Sequence, residues 1–147
     1  MIHVLGVFAT KHINKGEVIA VLGGVIVQKK DRKQYEKEIG DVGIQIHDDF
    51  FICPTSTKEL KCSGVFNHSC NPNIGYINSV SLVAIKNIIP GEELVFDYAF
   101  SESIAYNFRC RCASLKCRKN IRSSDWKIKS IQNKYLRYFS PYLKNKI

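Results

Sequence analysis

Long hydrophobic runs are what this 147-residue chain most lacks. Its longest apolar stretch, Val18 to Val27, falls short of the roughly 20 residues a membrane-spanning helix needs, so none is expected. The opening Met1-Ile2-His3-Val4 has neither the basic start nor the apolar run of a secretory signal. An intracellular, thiol-reducing location in cytoplasm or nucleus is the expectation, with signal-less export as an effector the alternative. Proline is scarce, with four in all, and no Pro/Gly/Ser-rich linker or internal repeat divides the chain. With 45% hydrophobic and 24% charged residues, the composition fits one compact domain and excludes a disordered chain.

Acidic residues are scarce in one region only. Residues 101–147 carry 12 Lys and Arg against Glu102 and Asp125, whereas residues 1–100 carry 10 against 11. The net charge of +9 therefore sits in the tail. Such a tail can face nucleic acid or another anionic surface. A solvated, lysine-rich helix face is the favoured reading, because the tail's aromatics fall at helical spacing rather than as an exposed stacking ladder.

Most of the chain reads as short strands and turns. Strands are expected at Val4 to Ala9, as a pair within Val18 to Val27 broken at Gly23-Gly24, and at Val42 to Ile46 and Phe50 to Cys53. Val80 to Ala84 and Glu93 to Phe96 complete the set, separated by the turn dipeptide Pro90-Gly91. Gln28 to Ile39 is charged and helix-compatible. From Asp125 onward, Ile128, Ile131, Tyr135 and Tyr138 or Phe139 recur at helical spacing, with Pro141 marking the helix end. The fold class expected is mainly β, a β-rich α+β domain.

Three segments carry chemistry. Asn67-His68-Ser69-Cys70-Asn71-Pro72-Asn73 is a dense polar block, which alone could be a turn satisfying its own backbone. Gly91-Glu92-Glu93-Leu94-Val95-Phe96-Asp97-Tyr98 ends a strand on a tyrosine, which alone could be core. Cys110-Arg111-Cys112-Ala113-Ser114-Leu115-Lys116-Cys117 places three of the six cysteines at C-x-C-x4-C spacing. In a reducing compartment that pattern reads as thiolate ligands for zinc rather than disulfides or free thiols. Cys53 and Cys62 lack partners at ligand spacing and read as core or surface thiols.

Taken together, the three segments resemble the SET family of protein-lysine methyltransferases. The opening His3-Val4-Leu5-Gly6-Val7-Phe8-Ala9 and Ile13-Asn14-Lys15-Gly16-Glu17 resemble the family's first block. Cys110 to Cys117 is similar to its cysteine-rich post-SET segment, and the likeness runs through about residue 122. It implies small curled sheets with a C-terminal pseudoknot that brings the Asn67 block beside the Tyr98 strand, against the usual rule that chains avoid threading. It also implies a SET domain at 1–107, a zinc-bound post-SET segment at 108–122 and a basic C-terminal helix at 123–147.

The family's chemistry is methyl transfer from S-adenosylmethionine to a lysine, here of a histone or another basic protein. The resemblance makes Tyr98 the catalytic hydroxyl and assigns cofactor binding to Leu5, Gly6, Phe8, Asn67 and His68. Tyr76 and Phe96 would line the lysine channel, with Phe96 leaving room for di- or trimethylation unless Tyr76 supplies the limiting hydroxyl. Structural zinc would sit on Cys70, Cys110, Cys112 and Cys117. Asp48, Asp49, Glu92, Glu93 and Asp97 are candidates to rim a groove for a basic substrate. A catalytically silent, zinc-stapled module binding peptide or nucleic acid is the alternative, disfavoured because Tyr98, Asn67 and His68 are all present. Two departures stand out: Val4 occupies a usual glycine position, and Ala113 and Lys119 stand where the post-SET segment often has glycines.

Overall fold

The computed structural model describes residues 6–40, 43–59 and 66–147. Strands β1 (Val18–Val21), β2 (Val25–Gln28), β3 (Ile44–Gln45), β4 (Phe50–Cys53), β5 (Asn67–His68), β6 (Ile74–Tyr76), β7 (Ser81–Ala84), β8 (Val95–Phe96), β9 (Asn107–Arg109) and β10 (Asn120–Arg122) form three small sheets. Their orders are β1-β7-β6-β8-β5, β2-β4-β3 and β9-β10. The β-rich class inferred from the sequence holds. The expected Val4 to Ala9 strand is reduced, within the described residues, to one bridge between Phe8 and Glu93.

The Val18 to Val27 stretch does break at Gly23-Gly24, but its halves do not pair with each other. β1 joins β7 and β2 joins β4, both antiparallel. Gly24 makes this change of sheet possible. Its φ of 139° lies where side chains are disfavoured, and a Cβ there would stand 1.9 Å from the Cys53 carbonyl oxygen. Helix α1 (Lys29–Ile39) follows β2, carries Asp31 in its first turn and Lys37 in its last, and buries none of its residues fully. Its anchor is Tyr35, whose hydroxyl donates to the Pro54 carbonyl at 2.6 Å.

Strand order in the large sheet settles how the motifs meet. β8 lies between β5 and β6 and runs parallel to both. The Ser69–Asn73 connection from β5 to β6 therefore has to cross β8, which is the threading implied by the resemblance. Hydrogen bonds secure the crossing at both ends: Ser69 N donates to Phe96 O at 3.0 Å, and Asn73 N to Val95 O at 3.0 Å. The Asn73 side chain accepts from Val95 N at 2.7 Å and donates to Glu93 O at 2.7 Å.

The tail differs from the expected single helix. A 3-10 turn (Asp125–Lys127) precedes α2 (Lys129–Tyr135), a second 3-10 turn (Leu136–Tyr138) follows, and α3 (Pro141–Lys144) closes the chain. Pro141 starts a helix instead of ending one. Buried Ser140 is its N-cap, accepting from Leu143 N at 3.3 Å, and proline suits the first helical position because its missing N–H is not needed there. Ser140 also holds the preceding segment, donating through Oγ to Ser101 O at 3.1 Å and through N to Phe100 O at 2.7 Å.

The lysines of this tail are largely exposed, but its apolar residues are structural. Trp126, Ile131, Phe139, Tyr142 and Leu143 join Ile74, Tyr76, Leu82, Phe96 and Phe100 in the main core. Phe139 is fully buried, with its ring centroid 5.0 Å from that of Phe100. Phe139→Ala should destabilise the protein by about 3–5 kcal/mol through lost burial and a residual cavity, read as the change in urea unfolding midpoint at constant slope.

Candidate active site and metal centre

The parallel pairing of β5 with β8 sets Asn67 opposite Val95 and His68 opposite Phe96. His68 is buried and its Nδ1 accepts from the Tyr98 backbone N–H at 3.2 Å. That acceptor role places the imidazole proton on Nε2, which faces Cys70 Sγ at 3.4 Å. The Tyr98 hydroxyl donates to the Phe66 carbonyl at 3.2 Å. The rings of His68, Phe96 and Phe108 stand 5.2, 5.8 and 5.8 Å from that of Tyr98, so its orientation is held on three sides.

A cleft of about 520 Å³ opens beside these residues. Gly6, Phe8, Asn67 and His68 all line it, together with Glu93, Phe108 and Arg109. Four of the five residues expected to bind the cofactor are thus brought together. Leu5 lies outside the described residues, as do Val4 and Cys62. A side chain at Gly6 would bring its Cβ within 2.5 Å of Glu93 Oε1, the oxygen that accepts from Asn67 Nδ2 at 2.6 Å. Glycine here lets the first block approach the Asn67–Glu93 pair. The cleft's size, its glycine-backed wall and its polar floor suit a nucleoside-type cofactor such as S-adenosylmethionine.

Tyr76 and Phe96 meet edge to face with centroids 5.7 Å apart, both buried. The Tyr76 hydroxyl contacts Ser101 Oγ at 3.3 Å, and burial pushes its pKa well above the ordinary phenol range.

Cys70, Cys110, Cys112 and Cys117 converge until all four sulfurs lie within 4.8 Å of one another. A tetrahedral zinc with bonds of about 2.3 Å needs sulfurs about 3.8 Å apart, and Cys70 and Cys110 already stand at 4.0 Å. Backbone N–H groups of Cys112, Arg118 and Lys119 point at Cys110, Cys70 and Cys117 at 3.4, 3.3 and 3.4 Å, as they would to soften thiolate charge. Burial raises the Cys70 thiol and pushes Cys110 up to about 11. Burial also raises Cys112, but hydrogen bonds from neighbouring backbone and thiol groups outweigh it and bring this thiol down to about 6. The donor set fits structural zinc with no open position. Among the described residues every cysteine is free of disulfides.

Three features escaped the sequence reading. The antiparallel β9–β10 hairpin, which presents the cysteines, joins Arg109 to Asn120 across a non-glycine loop. Ala113 (φ 55°) and Lys119 (φ 65°), at the two usual glycine positions, both adopt the left-handed conformation. Third, Asp97 is not on a groove rim. Its side chain is 1% exposed and ion-paired to Arg118. Glu92 and Glu93 line the cofactor-type cleft, and Asp48 is engaged by Lys146 and Tyr142, each at 2.7 Å. Arg118 looked like one more basic residue of the tail, and only its place directly after Cys117 set it apart.

The SET domain family model matches residues 4–99, and the chain belongs to that family. Over 130 residues it is 35% identical to the H3 lysine-4 specific histone-lysine N-methyltransferase of Schizosaccharomyces pombe, and 28% identical to human histone-lysine N-methyltransferase 2B. Each match covers 80% of this chain but only 14% and 5% of the respective relative, so the chain spans a small part of those proteins. The methyltransferase domain of human SETMAR superposes with a TM-score of 0.53 at 22% identity, covering 75% of this chain and 51% of that one. KRYPTONITE, solved with DNA and SAH, superposes with a TM-score of 0.56 at 22% identity over 78% of this chain and 26% of that one. These structures confirm the fold. Among the described residues no helix is long and apolar enough to cross a membrane.

Elemental analysis should find one zinc per chain, and Cys112→Ser should lose it together with stability. Zinc retention should weaken as pH falls, because each ligand must be deprotonated to bind. Ala113→Gly and Lys119→Gly should each raise stability by about 1 kcal/mol, seen as a higher Tm, because glycine carries no left-handed penalty.

Proposed function

We propose that this chain transfers methyl groups from S-adenosylmethionine to a lysine of a histone or another basic protein. The observation that carries this reading is the packing of the Tyr98 ring against His68 and Phe108, two residues that line the cleft together with Gly6, Phe8 and Asn67. The relatives' names support the same chemistry and a basic substrate. In the division proposed, residues 1–107 do the chemistry, 108–122 hold zinc, and 123–147 are the basic tail. The tail's lysines serve as a solvated surface rather than a nucleic-acid site, and the protein works inside the cell.

When bound, S-adenosylmethionine supplies a methyl group on a positively charged sulfur. Gly6, Phe8, Asn67 and His68 would hold it, and Leu5 is proposed as a further contact. A lysine is protonated in water near neutral pH, so the protein has to deliver it neutral. Enclosure between apolar walls, to which Tyr76 and Phe96 contribute, lowers its pKa by desolvation, and no strong general base is then needed. Tyr98 orients the amine by hydrogen bonding and steadies the charge shift as the new bond forms. Phe96 would leave room for a second or third methyl group unless the Tyr76 hydroxyl takes the limiting role.

Tyr98→Phe tests the reading. It removes one oxygen and keeps the ring, so the packing against His68, Phe96 and Phe108 survives. Methyl transfer to a panel of basic proteins should fall by about 2–4 kcal/mol in transition-state stabilisation, roughly a hundredfold. Calorimetric affinity for S-adenosylmethionine should change far less. Transfer at the wild-type rate by Tyr98→Phe rules out the assigned role.

A further inference from the structure

Among the cations of residues 109–122, Arg109, Arg111, Lys116, Lys119 and Arg122 are exposed, whereas Arg118 turns inward. Its Nη1 and Nη2 donate to Asp97 Oδ2 and Oδ1 at 2.7 and 2.8 Å, and its Nε donates to Asp125 Oδ2 at 2.9 Å. Such a two-pronged grip fixes the carboxylate in orientation as well as position, which a lysine could not do. At its other end Arg118 follows Cys117, and its backbone N–H points at Cys70 Sγ.

What Asp97 does next matters for chemistry. Its Oδ1 accepts from Ala99 N at 3.0 Å and so caps the 3-10 turn that begins with Tyr98. The same oxygen stands 3.7 Å from His68 Nδ1, the atom that accepts from Tyr98 N. The backbone is therefore pinned on both sides of Tyr98, by His68 at its own amide and by Asp97 at the following one.

We propose that Arg118 is a positioning residue for methyl transfer: reaching in from the cysteine hairpin, it holds Asp97 so that Tyr98 and His68 keep their working orientation. This rests on the methyltransferase reading above. It also gives the zinc hairpin a purpose beyond stability, since the metal ligands anchor the base of the arm that reaches the catalytic strand.

The test compares the full chain as wild type, Arg118→Lys, Arg118→Met, Asp97→Asn and Arg118→Met/Asp97→Asn. Zinc content, the nitrogen-15 signals of the Tyr98 amide and the His68 ring, and kcat and KM are measured on each. Arg118→Met should keep its zinc, shift the Tyr98 and His68 signals, and lower kcat by about tenfold or more while cofactor KM stays within about twofold. Arg118→Lys, which keeps the charge but loses the fork, should fall between Arg118→Met and wild type. The double variant should lose less than the two single changes combined, because no buried carboxylate is left stranded. If Arg118→Met does not fold, Arg118→Lys and the double variant carry the same readouts. Unshifted Tyr98 and His68 signals with wild-type kcat overturn the proposal, and so does loss of zinc in step with kcat across the series. A wild type that methylates no basic protein overturns the methyltransferase reading instead, and the Tyr98 and His68 signals then decide the role of Arg118 alone.

Discussion

A carboxylate with 1% of its side chain in contact with solvent has to be neutralised from within, and Asp97 sets that demand at the centre of this molecule. Arg118 meets it. Because Arg118 belongs to the β9–β10 hairpin, satisfying the charge obliges the hairpin to dock. Docking delivers Cys110, Cys112 and Cys117 to Cys70 and lays Phe108 against Tyr98 and His68. Burial by itself depresses the Arg118 guanidinium, yet the pairing with Asp97 outweighs it and holds the group above its ordinary range, so this cation stays charged. One wall of the cofactor-type cleft, Phe108 to Ala113, belongs to the same hairpin that carries Arg118.

Behind the site, the tail does the corresponding work for the core. Phe100 follows Tyr98 by two residues and is packed against Tyr135 and Phe139, with centroids 5.3 and 5.0 Å away. Ser101, which meets the Tyr76 hydroxyl, is in turn held through its carbonyl by Ser140. The basic charges of residues 123–147 face water, but the apolar stripe between them is the floor on which the Tyr98 segment rests.

Much of the site was legible because its residues are contiguous. Asn67 to Cys70, Glu93 to Tyr98 and the C-x-C-x4-C run each announce their chemistry within a few positions. What joins them was not legible in periodicity, and only the family resemblance implied the threading of the Asn67 block beside the Tyr98 strand. The partition of Val18 to Val27 between two sheets depends on which distant strands compete for its edges, and local alternation carries no record of that. Asp97 reads in sequence as one of several acidic residues, and its burial is decided by a crossing between segments about 25 residues apart. Pro141 could equally end one helix or begin another. The choice falls on Ser140, whose hydroxyl is more useful as a cap once Ser101 is beside it.

The crossing of Ser69–Asn73 over β8 also bears on how the protein comes apart. Parallel, non-local pairing is slow to form, because the ends must find each other before any bond is gained. Once β8 lies between the two strands, the Asn73 side chain bonds it at Val95 N and Glu93 O, so the strand cannot leave without breaking that clamp. Breaking that clamp is then a step on the way out, so the rate of unfolding as well as its equilibrium sets how long the folded protein lasts.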